Sequence, residues 1–278
     1  SYEDWKGNVY PTDMPRSVHP LTFLSGFFDT VEVNATFYRP PSPNHCASWV
    51  SKVGENPRFV FTLKLWQRFT HERETFPGEA EVGQVREGIA PLHEAGKLGA
   101  LLMQFPWSFR RTPENRTWLA RVIDRFDDYP LALELRHASW DRPEVYQGLA
   151  QRNVAFCSID QPQLKDSIAP SDCVTAPLGY VRFHGRNAHN WIRKDAKPYE
   201  RYDYLYKRDE LGAWLGRIKA MCAKADELFI ITNNHYRGQA VVNAFELANG
   251  LGVPTEAPPA ALVETYPRLR ELSLGVAD

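Results

Sequence analysis

The stretch FFDTVEVNATFYR, residues 27–39, contains an alternation of side chains from which the fold can be inferred. Val31 and Val33 alternate with Glu32 and Asn34, and β-branched and aromatic residues of this kind favour a strand. Because successive side chains of a strand point to opposite faces, the two valines share one face and the two polar side chains share the other. The rest of the chain decides whether this polar face meets water or the inside of the protein.

Six further runs of the same kind follow, and helical patterns separate most of them. This alternation predicts parallel strands whose crossover helices cover the sheet. One of the helices repeats Val82, Val85, Ile89 and Leu92 on a single face, as expected for a helix that packs against a sheet. The six runs are RFVFTLKLW (58–66), GALLMQF (99–105), LALELRH (131–137), NVAFCSID (153–160), GYVRFHG (179–185) and ELFIITNN (227–234).

The alternation fits either a (β/α)₈ barrel or an open, doubly wound sheet. No GxGxxG follows a strand and the chain has no GxxxxGK[ST] sequence, so the nucleotide-binding forms of the open sheet lose support. We therefore predict an α/β fold of the TIM-barrel type. Such a barrel closes with eight strands whereas seven are visible, so either the first strand is missing or truncated, or the barrel closes irregularly. Residues 1–278 are predicted to form one barrel domain with a proline-rich tail from about residue 253.

Composition limits the classes of partner. Lys and Arg total 33 against 34 for Asp and Glu, so the net charge of −1 gives no overall attraction to nucleic acid or to anionic lipid. No apolar run approaches the roughly 20 residues that span a bilayer. The four cysteines show no CxxC spacing, and the chain does not open with a basic and then apolar leader. We therefore expect a cytoplasmic protein without a membrane partner.

Polar residues end every predicted strand on the face opposite the apolar set. In a barrel, inward residues near the carboxyl ends of the strands form the floor of the active site. Buried charges require partners, so these side chains must pair with one another or with a ligand. The last strand leaves open whether Asn233 or Asn234 points inward. The inward candidates are Glu32, Asn34, Lys64, Gln104, Glu134, Arg136, Asp160, Arg182 and His184, with His71 in the loop after Lys64.

Two kinds of chemistry fit this set. Glu134, Asp160 and His184 carry the oxygen and nitrogen atoms that bind Mg²⁺, Mn²⁺ or Zn²⁺, so they are the candidate ligands of a divalent metal ion. Without a metal ion, His184 or a carboxyl group, including that of Glu32, acts as general acid or base. The cationic candidates are Lys64, Arg136 and Arg182, which either neutralise the carboxylates or bind an anionic substrate.

The loop from Arg186 to Arg208 supplies a second signal. It carries seven Lys or Arg residues against three acids, interleaved with Trp191 and four tyrosines. Basic residues with aromatics can bind a phosphodiester chain and stack on its bases. The alternative interpretation is a solvated loop whose aromatic side chains pack on the rim of the barrel.

The collected motifs resemble the signatures of the domain of unknown function 72 family, the YecE-like proteins. They are W.G.VYP (5–11), FDTVEVNATFYRPP (28–41), FTLKLWQRFTH (61–71), LGALLMQFPWSF (98–109), LALELRHASW (131–140), GYVRFHGR (179–186) and TNNHYRGQAVVNA (232–244). The resemblance implies a TIM-barrel-like fold and a mostly prokaryotic, cytoplasmic protein without an established reaction.

The resemblance also bears on the strand count and on the site. Family members usually begin with a strand that ends in a GTSG-like turn before W.G.FYP, and this chain lacks that segment. The family motif residues in this sequence include Glu32, Asn34, Lys64, Thr70, His71, Gln104, Glu134, Arg136, His137, Trp140, Arg182, His184, Asn233, Asn234, Gly238 and Asn243. The family supplies no roles for them.

Three functions remain open from the sequence. The first is a hydrolase for phosphoesters or phosphodiesters at the carboxyl face of the barrel, with Glu134, Asp160, His184 and Glu32 as catalytic residues. The second is a non-catalytic module that binds an anion or nucleic acid. The third is a sugar isomerase or lyase that uses Lys64. In each case the substrate-binding candidates are Lys64, Arg136, Arg182, Asn34, Gln104, His71, Asn233, Asn234 and Trp191.

Overall fold

Seven parallel strands form a nearly closed barrel in the computed structural model, which describes residues 2–273. The strands pair side by side in chain order, and each coincides with one of the seven predicted runs, although the third and sixth strands begin one residue earlier. They are β1 (Thr30–Val33), β2 (Val60–Lys64), β3 (Leu98–Gln104), β4 (Leu131–Glu134), β5 (Val154–Asp160), β6 (Leu178–Phe183) and β7 (Glu227–Thr232). The last strand returns beside β1. The prediction of a TIM-barrel-like α/β fold is therefore confirmed.

Helices between the strands cover the outside of the barrel. Two of them begin where the sequence carries a polar cap followed by proline: the Ser42 hydroxyl accepts from the His45 amide at 3.3 Å, and the Thr112 hydroxyl accepts from the Asn115 amide at 3.2 Å. The helices are α1 (Pro20–Ser25), α2 (Pro43–Lys52), α3 (Gln67–Thr70), α4 (Glu79–Glu94), α5 (Pro113–Phe126), α6 (Pro143–Gln151), α7 (Ala188–Ile192), α8 (Pro198–Arg201), α9 (Arg208–Cys222), α10 (Gln239–Leu251), α11 (Ala260–Thr265) and α12 (Arg270–Ser273).

The apolar core lies between the outer face of the sheet and the helices. Helix α4 buries Val82, Val85, Ile89 and Leu92, the four residues that its periodicity predicted. They join a large cluster that extends across β2 to β5. No helix among residues 2–273 is long and apolar enough to cross a bilayer.

The two ends of the described chain pack together beside α10. Trp5 and Val9 from the first residues share a buried cluster with Phe245 of α10, Leu262 of α11 and Leu269. The Trp5 indole also donates to the backbone carbonyl of His235, just after β7, at 2.7 Å. The proline-rich segment after residue 253 therefore contributes buried leucines to this cluster.

Candidate functional site

An ion-pair chain crosses the interior of the barrel at the carboxyl ends of three strands. Arg182 of β6 is fully buried between Glu32 and Glu134, which lie at or next to the carboxyl ends of β1 and β4. Its Nη2 donates to Glu32 Oε1 at 2.6 Å, and its Nη1 donates to Glu134 Oε2. The same Nη1 lies 3.3 Å from Gln104 Oε1 on β3. All four side chains point into the barrel, as the alternation along their strands predicted.

Further inward residues surround the two carboxylates. Arg136 Nε donates to Glu134 Oε1 at 2.7 Å, and His184 Nε2 lies 3.3 Å from the same oxygen. On the other side, Lys64 Nζ is 4.0 Å from Glu32 Oε1. The arrangement is one connected network of carboxylates and cations rather than a set of separate pairs.

Both carboxyl groups are ionised at neutral pH. Burial is the largest single influence and raises the pKa of Glu32 and of Glu134, but the neighbouring cations together outweigh it, with the Arg182 guanidinium as the strongest of them. Lys64 adds to the lowering at Glu32 and Arg136 adds to it at Glu134. Each pKa therefore lies below its usual value, which fits carboxylates that are charged and paired.

The two histidines of the site are neutral at pH 7. Burial is the main cause that lowers the pKa of His184 to about 4, and Glu134 opposes this shift. Both ring nitrogens of His184 are engaged, since Nδ1 lies 3.3 Å from the Asn233 amide and Nε2 lies beside Glu134. His71 also has a pKa of about 4, because its partial burial and the nearby Arg136 and Lys64 disfavour its protonated form. Unlike His184, it lies only partly buried at the mouth.

Lys64 has a weakened preference for its charged form. Its side chain is 11% exposed, and burial is the first cause that lowers its pKa to about 8. The nearby Arg182 lowers the pKa further, while Glu32 and Glu134 partly oppose the shift. The ammonium group lies 5.9 Å from the centroid of the Phe37 ring, which forms one wall beside it.

The site carries positive charge and unused hydrogen-bonding capacity. Three cations, Lys64, Arg136 and Arg182, face the two carboxylates of Glu32 and Glu134, so the net charge of the cluster is +1 when Lys64 is protonated. Within residues 2–273, Arg136 Nη2 and Asn34 Oδ1 are among the buried polar atoms without a hydrogen-bond partner. An unpaired buried donor costs free energy, so a ligand that accepts from Arg136 would be stabilising.

Aromatic side chains form a rim above this network. Trp191 lies 5.5 Å from the Arg136 guanidinium and 5.9 Å from the Tyr202 ring. Tyr202 lies 5.1 Å from His235, on which Tyr2 stacks at 4.1 Å. The sequence drew attention to Trp191 and Tyr202 through their loop. Tyr2 and His235 were missed, although His235 directly follows the polar end of β7.

The sequence interpretation of Asp160 was wrong. We predicted that Asp160 points into the barrel, whereas it lies on the outer face of β5. Its carboxylate accepts from Arg186 at 2.9 and 2.6 Å, from the Tyr206 hydroxyl at 2.7 Å and from the Trp214 indole at 2.6 Å. These donors come from α9 and from the loop before it. Near its carboxyl end, β5 instead points Cys157 and Ile159 inward, because they align with the inward Tyr180 and Arg182 of β6, and Cys157 lies within the electrostatic influence of Glu134 and Arg182. Asp160 is therefore a structural anchor for the loop.

The ambiguity in the last strand is also resolved. Asn233 points inward to His184, whereas the Asn234 amide donates to the Tyr204 carbonyl and to Asn243 Oδ1, both at 2.8 Å. Asn234 therefore ties the end of β7 to α10 and is not a site residue.

The predicted metal ligands do not come together. Glu134 and His184 are neighbours, but Asp160 faces the helices on the other side of the sheet. The part of the chain that the structure describes contains no group of three or more His, Cys, Asp or Glu arranged to hold a metal ion. Guanidinium groups already occupy the inward carboxylates, so the predicted ligand set does not fit a divalent ion.

Gly185 allows the chain to turn between the inner and outer networks. Its φ of +87° is in the left-handed region, and a Cβ there would lie 2.8 Å from Cβ of Tyr204. The preceding His184 faces the barrel interior, and the following Arg186 reaches Asp160 outside it. Gly185 thus lies between a residue that faces the barrel interior and a residue that anchors the loop outside the barrel.

Ion pairs fix parts of the basic loop. Arg193 contacts the loop acids Glu200 at 2.6 Å and Asp195 at 3.3 Å, while Arg186 contacts Asp160 of β5 and Glu210 of α9. These pairs fold the loop over the mouth and position Trp191 at the rim.

Comparison with known proteins finds relatives along nearly the whole chain. Residues 1–267 match the family described as "Protein of unknown function DUF72". UPF0759 protein YunF of Bacillus subtilis is 27% identical over 259 residues, which cover 88% of this chain and 91% of that protein. The structure of a DUF72 family protein from Thermotoga maritima is similar with 33% identity and a TM-score of 0.78, covering 91% of this chain and 96% of that one. A second, from Enterococcus faecalis, has 29% identity and a TM-score of 0.78, covering 86% and 90%.

Proposed function

The chain belongs to the DUF72 family of proteins of unknown function, and from that premise we propose that the carboxyl end of its barrel binds a small anionic molecule on which the protein acts. The ligand class is a carboxylate or a phosphate. One observation carries the proposal: the buried Nη2 of Arg136 has no partner among residues 2–273, at a site whose net charge is positive.

The charges of the network support an added anion. Both Nη atoms of Arg182 already donate to Glu134 and Glu32, so these atoms have little capacity for a ligand. Lys64 has its nearest carboxylate at 4.0 Å, and that carboxylate is already paired with Arg182. A guanidinium and an ammonium group that are incompletely paired suit an oxyanion, because charge-assisted hydrogen bonds to carboxylate or phosphate are among the stronger kinds.

The aromatic rim supports a ligand with a flat or ring-shaped part. Trp191 and Tyr202 stand above the anion site, and their faces can cover a sugar or a planar group while excluding water. A mostly apolar wall with a few well-placed polar groups is typical of small-molecule sites.

If the bound anion is a phosphoester or phosphodiester, the reaction that we propose at this site is its hydrolysis. The observation that favours it is the neutral His71 near Lys64 and Arg136, where it could accept a proton from water. His71 fits this role better than His184, whose two nitrogens are engaged. Turnover of phosphomonoesters and phosphodiesters that disappears in His71→Asn would support hydrolysis.

Binding of simple anions tests the proposal directly. We expect phosphate or pyruvate to raise the melting temperature of the protein, because a ligand at 100 times its Kd adds about 2.7 kcal/mol of stability. The Arg136→Gln variant should lose this response. The matched control is Arg86→Gln, since Arg86 pairs with Asp128 on the surface. An equal response of the wild type and Arg136→Gln would overturn the proposal.

A further inference from the structure

We infer that Lys64 is a nucleophile that forms an imine with a carbonyl compound bearing an anionic group, such as a 2-oxo acid or a phosphorylated aldehyde or ketone. The inference rests on the proposed anion site and adds the class of reaction. Its geometric basis is the position of the Lys64 amine at the carboxyl end of β2, next to Arg136 and Arg182 in the same network.

The surroundings of Lys64 give its ammonium form little support. Glu32 is its nearest carboxylate at 4.0 Å, yet Glu32 accepts from Arg182 at 2.6 Å and from the Tyr180 hydroxyl at 2.9 Å. The carboxylate is therefore satisfied without the lysine. A lysine used only to neutralise Glu32 would be expected at hydrogen-bond distance from it.

Burial and neighbouring cations make the amine reactive near neutral pH. The charged groups that influence Lys64 are Arg182 and Arg136, which lower its pKa, and Glu32 and Glu134, which raise it. The result is a pKa of about 8, with burial as the largest cause. Roughly a tenth of the amine is then neutral at pH 7, far more than for a lysine in water. Desolvation and an adjacent cation are recognised ways of activating a lysine for attack on a carbonyl.

The chemical step balances with groups at the site. The Lys64 lone pair adds to the carbonyl carbon, the C=O π electrons move to oxygen, and a proton passes from nitrogen to that oxygen to give a carbinolamine. One further proton from solvent lets the hydroxyl leave as water, and the product is a protonated imine. His71, which is neutral and feels the charges of both Lys64 and Arg136, is suited to move these protons.

The charges around Lys64 also favour the protonated imine that this reaction forms. A protonated imine carries the same charge as the ammonium group that it replaces, so the network with Glu32 and Glu134 is undisturbed. The anionic group of the substrate then offsets the net charge of +1 and can accept from the free Nη2 of Arg136.

Reductive trapping tests the inference. The protein is incubated with pyruvate and sodium cyanoborohydride, and the modified residue is located by peptide mass spectrometry. We expect the adduct on Lys64, with a trapping rate that is half-maximal near pH 8 once the reductant's own pH dependence is subtracted. Lys64→Arg keeps the charge but removes the amine nucleophile, so it should show no adduct at this position. Lys64→Met provides a second variant if the arginine disturbs the fold.

The controls separate this inference from the proposed function. The surface Lys97, whose Nζ donates to the Pro57 carbonyl at 2.8 Å, gives the background rate of adduct formation in the same digest. Labelling of Lys64 no faster than Lys97, while pyruvate still raises the melting temperature in an Arg136-dependent way, overturns the imine and leaves the anion site intact. Rapid labelling of Lys64 that Arg136→Gln does not slow supports the imine and contradicts the anion site.

Discussion

At the scale of single residues, Arg182 has the largest consequence for stability. It is fully buried and pairs with two buried carboxylates from opposite sides of the barrel. Arg182→Met would leave Glu32 and Glu134 close together and without that cation. Since removal of one partner from a buried ion pair costs about 3–5 kcal/mol, we expect a loss of at least that size in the free energy of unfolding measured with urea.

The control for Arg182→Met also removes the negative charges of Glu32 and Glu134, which Arg182 neutralises in the wild type. The triple variant Arg182→Met, Glu32→Gln, Glu134→Gln should be more stable than Arg182→Met alone, because no unpaired buried carboxylate remains. A cost below about 1 kcal/mol for Arg182→Met would contradict this account of the network, since that is the size expected of an exposed pair.

Because His184 is buried in its neutral form, we expect the protein to lose stability in mild acid. The pKa of His184 in the folded protein is about 4, against 6.5 for a free histidine, so the unfolded chain binds the proton first as the pH falls. Stability from this group is therefore full above pH 6.5, is lost progressively between pH 6.5 and 4, and changes no further below that. A pKa shift of this size corresponds to about 3 kcal/mol in the free energy of unfolding.

Replacement of His184 isolates this contribution. In His184→Gln, the free energy of unfolding should fall less steeply between pH 6.5 and 4.5 than in the wild type. The lowered pKa values of Glu32 and Glu134 act mainly below this window, so the two effects are separable. His189→Gln serves as the control because His189 is exposed. An unchanged slope in His184→Gln would refute the assignment.

At the scale of elements, strand parity predicted most of the site but failed at β5. The rule worked where one face is apolar and the other polar, as in β1 and β6. In β5 it assigned the polar Asp160 inward, although Cys157 has that orientation and Asp160 meets α9. Sequence alone does not reveal that Tyr206, Trp214 and Arg186 supply donors on the outer face, because these residues are 26 to 54 positions away.

Replacement of Asp160 should therefore weaken the packing of the loop after β6 and leave the binding of anions at the barrel site unchanged. We expect Asp160→Asn to lower the free energy of unfolding by about 2–3 kcal/mol, because charge-assisted hydrogen bonds from Arg186, Tyr206 and Trp214 are weakened. The rise in melting temperature caused by pyruvate should persist. Glu134→Gln is the matched inward variant, and it should alter that response because Glu134 orients Arg136. Loss of the response in Asp160→Asn with the fold intact would argue that Asp160 belongs to the site.

At the scale of the whole molecule, the order and number of strands were predictable from the sequence, whereas the packing of the chain ends was not. The alternation of strands and helices is a local pattern, and each of its strands pairs with the next one in the chain. Trp5 and Leu262, in contrast, meet in one cluster although more than two hundred residues separate them. Tyr2 reaches the rim for the same reason, so an aromatic wall of the site depends on contacts that no local pattern records.

The charge distribution of the whole molecule predicts weak binding to nucleic acid. The chain has a net charge of −1, and Arg193 of the basic loop is already paired with Glu200 and Asp195. A protein that neutralised six to ten phosphates would lose roughly 10³–10⁵ in affinity between 50 and 200 mM salt. We expect fluorescence anisotropy with a single-stranded oligonucleotide to show no such slope, and the double variant Arg193→Gln, Lys194→Gln to behave as the wild type does. A steep slope that this variant abolishes and Glu134→Gln preserves would instead assign the loop to nucleic acid and separate its role from that of the barrel site.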